Sequence, residues 1–285
     1  MRQSLSQGSR VLAARLLLAF AFALAMPLVA EAAAGRTFVA SNGSDANSSS
    51  NCPVSAPCQT FAVAYGVTTV GGEIVAIDGA GYGPLTITNS IRIIALQRAF
   101  IKPTPGTTGV TISGGNVVLD NIEVNGAGGA STTGITVNGG HLVLRNSVLT
   151  QLTTGLVING VKVDIVNSQI EFNTTGISTS GTGTDFSQGF VSGGFGPTQA
   201  RIYNTTVFGN STAFFMSNPG VASASGGTQS KITILTDGSN NRFIGNTTLV
   251  DGNGTGCPTG INAGAGQCNQ INGFSSPTAD NQTVP

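Results

Sequence analysis

Apolar and polar residues alternate along several stretches of the chain, and these stretches resemble one another. Residues 134–154 and 155–175 align without a gap, as GITVNGGHLVLRNSVLTQLTT and GLVINGVKVDIVNSQIEFNTT. Gly134, Gly155 and Gly176 therefore recur at one constant interval. Alternation rich in β-branched residues is typical of strands, and glycine or asparagine between the runs indicates bends.

Further copies lie on both sides of this pair. Residues 109–133 fit with four extra residues, and residues 83–96 show the same alternation. After a Gly/Ser-rich insertion at 179–197 the pattern resumes at 200–216, and residues 231–247 are a looser copy. A period of about twenty residues with several strands in each unit is typical of a parallel β-helix. We therefore predict an all-β, single-stranded solenoid of about seven coils, with residues 83–250 as its body.

One asparagine recurs at the same place in four of the copies, and we take its side chain to point inward. At a sharp bend the amide bonds to the backbone or to the asparagine one coil away. A sugar-binding or glycosylated asparagine is the alternative. We predict a structural ladder formed by Asn121, Asn146, Asn167 and Asn204.

The N-terminal segment, residues 1–34, has the pattern of a secretory signal peptide. Arg2, Arg10 and Arg15 precede the apolar run Leu16–Ala30, and small residues then supply A-x-A cleavage sites. An uncleaved membrane anchor is the alternative. We expect an exported monomer, periplasmic or extracellular, with no membrane span after cleavage.

The two ends of the mature chain differ from the repeats. Residues 35–82 are expected to form an N-terminal cap and first strand, and residues 251–285 a loose Gly/Asn/Ser-rich tail. In an exported chain four cysteines indicate disulfides. Three pairings are open, and we favour the local one. It joins Cys52 to Cys58 and Cys257 to Cys268.

The best helix candidate lies in the predicted cap, at residues 55–70, where Phe61, Ala64 and Tyr65 have helical spacing. We expect Gly71 and Gly72 to end this helix. The segment Glu73–Ile77 would then begin the sheets.

Charge is scarce, at 8% of residues. Without the segment 1–34 the chain has 12 − 3 = 9 basic and 12 − 1 = 11 acidic side chains. Because nucleic-acid binding needs clustered positive charge, we expect no nucleic-acid partner. The Gly-rich stretches follow no strand-then-helix context, so we expect no nucleotide either.

The segment Thr37–Thr88 resembles the opening of secreted bacterial right-handed β-helix proteins of the pectin-lyase-like superfamily. The similarity is carried by Gly43–Asn47, Pro57–Phe61 and Gly71–Ile74. The resemblance implies a right-handed coil. It does not select one activity, because this architecture hosts lyases, hydrolases, epimerases and adhesins.

Alignment of the repeats places three columns of outward residues on one face. The first holds Asp120, Arg145, Val166 and Tyr203; the second Val118, Val143, Asp164 and Arg201; the third Asn116, His141, Lys162 and Gln199. Cross-strand ion pairs of Asp120 with Arg145, and of Asp164 with Arg145 and Arg201, would keep this face soluble. Catalytic candidates are Asp120, Arg145, Asp164 and Arg201. Ligand-binding candidates are His141 and Lys162, with Phe186, Phe190 and Phe195 of the insertion.

Among the activities of this superfamily, the lyases use carboxylates to hold calcium and a basic side chain to abstract a proton; by this resemblance Asp120 and Asp164 would be the ligands and Arg145, Lys162 or Arg201 the base. The W-x-D-H and R-x-P-x-x-R segments of pectate lyases are missing from this sequence. We therefore predict no metal site and no required cofactor, with calcium only if the protein is a lyase. The predicted function is binding of a polysaccharide or cell-surface glycan, or of another surface, at the cell envelope or exterior. The alternative is a polysaccharide lyase or glycoside hydrolase acting on acidic polysaccharide.

Overall fold

The computed structural model describes residues 33–180, 199–217, 233–236, 242–253, 270–272 and 281–282. Within them the chain is all-β apart from two short helices, and its strands form one mostly parallel, nearly closed sheet. This arrangement is consistent with the predicted parallel β-solenoid. The helices are a 3-10 helix, Asp45–Ser50, and α1, Phe61–Val67.

The strands are β1 (Ala34–Val39), β2 (Thr68–Ala76), β3 (Leu85–Ile87), β4 (Ile91–Ile101), β5 (Thr108–Asn125), β6 (Thr133–Arg145), β7 (Val148–Thr150), β8 (Thr154–Asn159), β9 (Lys162–Val166), β10 (Gln169–Glu171), β11 (Thr175–Ser180), β12 (Gln199–Tyr203), β13 (Thr206–Phe208), β14 (Thr212–Ser217), β15 (Thr233–Thr236), β16 (Arg242–Ile244), β17 (Thr248–Asn253), β18 (Gln270–Asn272) and β19 (Asn281–Gln282).

The strands pair in parallel and form three groups, which we call strand sets. The first strand set is β1, β2, β4, β5, β6, β9, β12, β15 and β18. The second is β3, β5, β6, β8, β11, β14 and β17. The third is β4, β5, β7, β10, β13, β16 and β19. The long strands β4, β5 and β6 bend and so belong to more than one set.

The pairing register reproduces the alignment of the repeats. Thr133 pairs with Thr154, and Thr154 with Thr175, which is the interval predicted from the repeated glycines. Thr108 pairs with Thr133, so the four extra residues of the earlier copy are absorbed between strands. Residues with the same place in the repeat therefore lie one above another, about 4.8 Å apart.

Alternation along the strands separates core from surface. In β5, β6, β9 and β12 the inward positions of the first strand set are at most 1% exposed: Val117, Leu119, Leu142, Leu144, Val163, Ile165, Ala200 and Ile202. The positions between them are half-buried or exposed wherever their burial is described. Burial of these aliphatic side chains between stacked strands is the main term that stabilises the fold.

The predicted helix is shorter than expected, and its end differs. Thr60 caps α1 by accepting a hydrogen bond from the Val63 backbone N–H, and the helix ends at Val67. Gly71 and Gly72 do not end it, because β2 has begun at Thr68 and runs through both glycines. The β-branched run that starts there favours a strand. Strand pairing also begins before Glu73, since β1 pairs with β2.

The segments that carried the family resemblance bind each other. Asp45 accepts hydrogen bonds from the backbone N–H groups of Gln59 and Thr60, both at 2.9 Å, and from the Thr60 hydroxyl at 3.0 Å. The Asn47 amide donates to the Pro57 carbonyl at 2.8 Å. The recurring polar residues of this opening therefore fix the loop that leads into α1.

The predicted disulfide between Cys52 and Cys58 is present, with both cysteines buried in the core. We expect the Cys52→Ala/Cys58→Ala variant to lose about 2 kcal/mol of unfolding free energy, because the bridge restricts a short loop of the unfolded chain. Urea unfolding of the two proteins, followed by circular dichroism, measures this loss. A variant with an unchanged midpoint would show that the bridge adds nothing.

Several predictions fall on residues outside the described ranges: residues 1–32 of the signal peptide, Cys257, Cys268, Phe186, Phe190 and Phe195. The boundaries predicted at residues 82 and 250 stay predictions. Two short strands, β18 and β19, lie in the segment expected to be a loose tail. Among the described residues, no helix has the length and apolar character needed to cross a membrane.

Candidate functional site

The three predicted outward columns are present with the predicted register. Asp120 lies beside Arg145, Arg145 beside Val166, and Val166 beside Tyr203; the other two columns pair as predicted. We call these twelve positions of β5, β6, β9 and β12 the polar face: Asn116, Val118, Asp120, His141, Val143, Arg145, Lys162, Asp164, Val166, Gln199, Arg201 and Tyr203.

The pairing of Asp120 with Arg145 is confirmed. Arg145 Nη2 lies 3.0 Å from Asp120 Oδ2. The Asn146 amide also donates to Asp120 Oδ1, at 2.7 Å. Both carboxylate oxygens of Asp120 are therefore held by neighbours on the adjacent coil.

Asp164 binds a different partner from the two predicted. His141 Nε2 lies 2.9 Å from Asp164 Oδ2, and the side chains are 37% and 25% exposed. Strand pairing sets Asp164 directly beside Val143, so His141 and Arg145 are its diagonal neighbours on β6. Arg145 is already bound to Asp120, and Arg201, directly beside Asp164 on β12, forms no ion pair with it, so the predicted pairing of Asp164 with these two arginines is wrong.

Two cations of the polar face have no carboxylate partner among the described residues. Lys162 lies beside His141 in the register, and Arg201 lies beside Asp164. Both side chains are exposed, and neither takes part in an ion pair within 4.0 Å in the described part of the chain. Since the two aspartates have partners, the face presents positive charge to solvent.

Aliphatic side chains lie between these charged groups. Val118, Val143 and Val166 are half-buried on β5, β6 and β9, and Tyr203 is half-buried on β12. Hydrocarbon beside directed polar groups is the composition of sites that bind amphipathic ligands, of which sugars are one class.

The residues of this face do not form the calcium site that the lyase resemblance implies. Calcium takes six to eight oxygen ligands. Only Asp120 and Asp164 supply carboxylates here, each bound to a basic neighbour and two coils apart, about 10 Å. In the described part of the chain, no cluster of three or more His, Cys, Asp and Glu side chains is arranged to hold a metal.

The predicted asparagine ladder is present in part, and its orientation is corrected. Asn204 donates to Asn167 at 2.8 Å, but Asn146 donates to Asp120, and Asn121 donates to the Ala95 carbonyl. All four adopt a left-handed backbone, with φ between 45° and 63°. Asparagine tolerates this conformation well. None is buried; three are exposed, and the buried residue is the next one, as at Ser147 and Ser168.

A second asparagine ladder was missed by the sequence reasoning, and it is buried. Asn173 Nδ2 donates to Asn210 Oδ1 at 3.1 Å, and Asn210 Nδ2 donates to Asn246 Oδ1 at 2.9 Å. The three side chains are at most 3% exposed. The sequence contains a signal for this ladder. Each of the three asparagines is followed by Thr-Thr or Ser-Thr, and the last residue of each triplet begins a strand of the second set.

No protein-family model matches this chain, and no curated protein is significantly similar to it.

Proposed function

We propose that this chain is an exported right-handed β-helix protein of the pectin-lyase-like type, which binds glycans through the polar face. In this proposal α1 covers the N-terminal end of the coil, and the protein acts at the cell envelope or exterior. The sequence repeats predict about seven coils. The strand pairing, the disulfide and the signal-like N-terminus support this placement.

The observation that carries the proposal is the pair of exposed cations, Lys162 and Arg201, next to half-buried valines. Parallel strands about 4.8 Å apart hold Lys162 and Arg201 as diagonal neighbours on β9 and β12, about 7–8 Å apart. Such a flat, preorganised surface requires little ordering when a long polymer binds. The His141–Asp164 and Asp120–Arg145 pairs fix the remaining polar groups, and their hydrogen-bonding capacity toward solvent is open to sugar hydroxyls.

The test compares two matched double variants on three polysaccharides: pectate, alginate and a glycosaminoglycan. Lys162→Ala/Arg201→Ala removes the two cations of the polar face. Arg98→Ala/Lys102→Ala removes the same charge from exposed positions outside it. We expect the first variant to bind at least one polysaccharide about tenfold more weakly than the unmodified protein, and the second to bind normally. Affinity electrophoresis in gels containing each polymer measures both.

Equal weakening in the two variants would show that only net charge matters and that the polar face is not the site. Failure of the unmodified protein to bind any of the three polymers would remove the proposal for acidic glycans. Melting curves of both variants establish that each is folded.

One observation favours the alternative enzyme: the His141 imidazole is oriented by a carboxylate, as general bases often are. Absorbance at 235 nm, recorded on the same three polymers with and without calcium, detects the unsaturated products of a lyase. Reducing-sugar release detects a hydrolase. Product formation that disappears in His141→Ala and Asp164→Ala would replace the binding function with catalysis. Binding of the polymers without formation of any product would exclude catalysis on them.

A further inference from the structure

A depression of about 330 Å³ opens between α1 and the first strands of the second set. Its volume is at the small end of the range for small-molecule sites, about 300–1,000 Å³. None of its lining residues is charged: Ala62, Tyr65, Pro84, Leu85, Thr86 and Thr108.

Tyr65 forms a fixed wall of this depression. Its hydroxyl oxygen accepts hydrogen bonds from the backbone N–H groups of Thr88 and Asn89, both at 2.9 Å. It also lies 3.2 Å from the Thr88 hydroxyl. The ring therefore has a defined position next to Leu85, where a rigid aromatic surface binds at low cost in conformational entropy.

Two columns made mostly of threonines, the second interrupted at Val157, begin at the depression and run along the second strand set; we call them the threonine columns. The first column is Thr108, Thr133, Thr154, Thr175 and Thr212; the second is Thr86, Thr111, Thr136, Val157 and Ser178. Their side chains are half-buried, apart from the exposed Thr86. Within the described part of the chain, these hydroxyls form no hydrogen bond with protein groups, so their bonding capacity is directed to solvent or to a ligand.

The charge of this surface contrasts with that of the polar face. The two columns contain no charged residue over five successive strands, whereas the polar face has two unpaired cations. A charged ligand would lose its hydration here without gaining a partner. An uncharged ligand rich in hydroxyl groups would exchange its water for the threonine hydroxyls. Its apolar ring face would contact Tyr65.

We propose that the depression and the two threonine columns bind a neutral glycan, with one sugar ring against Tyr65 and adjoining sugars along the threonines. This site is separate from the polar face, on a different strand set. The proposal does not depend on the function of the polar face.

The experiment is isothermal titration of the purified protein with three uncharged probes: cellohexaose, mannohexaose and maltohexaose. We expect at least one probe to bind. Thr86→Val/Thr108→Val should weaken that binding at least tenfold. Valine keeps the β-branched shape of threonine and removes only the hydroxyl, and Val157 already occupies a position in the same column as Thr86. The control Thr206→Val removes a half-buried threonine hydroxyl of the third strand set and should bind normally.

Three results would overturn the proposal: no probe binds, the double variant binds as tightly as the unmodified protein, or Lys162→Ala/Arg201→Ala abolishes neutral binding. The last result would assign the glycan to the polar face. Amide chemical shifts of the unmodified protein provide a second measurement that needs no variant. A bound probe should shift the signals of Tyr65, Thr86 and Thr108, and shifts confined to His141 and Lys162 would contradict the site.

Discussion

Replacing Asn210 by alanine is expected to destabilise the protein by about 4 kcal/mol. The Asn210 side chain, 1% exposed, donates to the Ile170 carbonyl at 3.0 Å and to Asn246. Its oxygen accepts from the Asn173 backbone N–H at 3.0 Å. Alanine would leave the Ile170 carbonyl and the Asn173 N–H buried without these partners, and each unsatisfied group costs about 1–3 kcal/mol. Chemical unfolding followed by circular dichroism measures the loss.

An exposed asparagine pair provides the matched control. Asn159 donates to Asn138 at 2.7 Å across neighbouring coils, and Asn138 is exposed. We expect Asn138→Ala to change the unfolding free energy by about 0.5 kcal/mol at most, because water replaces the lost amide. Similar losses of unfolding free energy in both variants would show that the buried ladder stabilises the protein no more than an exposed asparagine pair does.

The second large effect is expected for Gly134→Ala. A Cβ atom at Gly134 would lie 2.4 Å from the Gly155 carbonyl oxygen and 2.8 Å from Leu152 Cδ1. The carbonyl belongs to the backbone of the adjacent coil and moves only if β8 separates from β6. We expect a loss of about 3 kcal/mol, or failure to fold, because overpacking at a backbone contact has no flexible side chain to absorb it. The unfolding midpoint of the purified variant measures the effect.

Gly66 supplies the control for this substitution. It lies in α1, and a Cβ atom there would meet nothing within 4 Å. Because alanine favours the helix over glycine, we expect Gly66→Ala to stabilise the protein by about 0.5–1 kcal/mol. A stable, fully folded Gly134→Ala variant would contradict the close stacking of neighbouring coils at the repeated glycines.

The register of the solenoid could be predicted from the sequence because the repeats are almost free of gaps. Once Gly134 and Gly155 are aligned, every outward column of β6 and β9 follows from alternation alone. The predicted columns were therefore correct. The Asp120–Arg145 pair was correct too, because those residues lie directly opposite each other.

Other features depend on competition between neighbouring side chains or between helix and strand, which the alternation of apolar and polar residues does not determine. Asp164 has Arg201 directly beside it and His141 and Arg145 as diagonal neighbours; Arg145 binds Asp120, Asp164 binds His141, and alternation alone does not determine this choice. The asparagines at the bends were expected to point inward, but their left-handed backbone turns them outward. We predicted the end of α1 too late in the chain, because the β-branched residues from Thr68 onward favour a strand and precede Gly71 and Gly72.

In the proposed function, adjacent coils form one glycan-binding surface from residues far apart in sequence. The most direct measurement is an amide and side-chain chemical-shift map of the unmodified protein titrated with the acidic polymer that it binds most tightly, supplied as an oligosaccharide. We predict that the largest shifts cluster at His141, Lys162, Asp164 and Arg201, on three successive strands. Shifts absent from these positions, or confined to one strand, would contradict the claim.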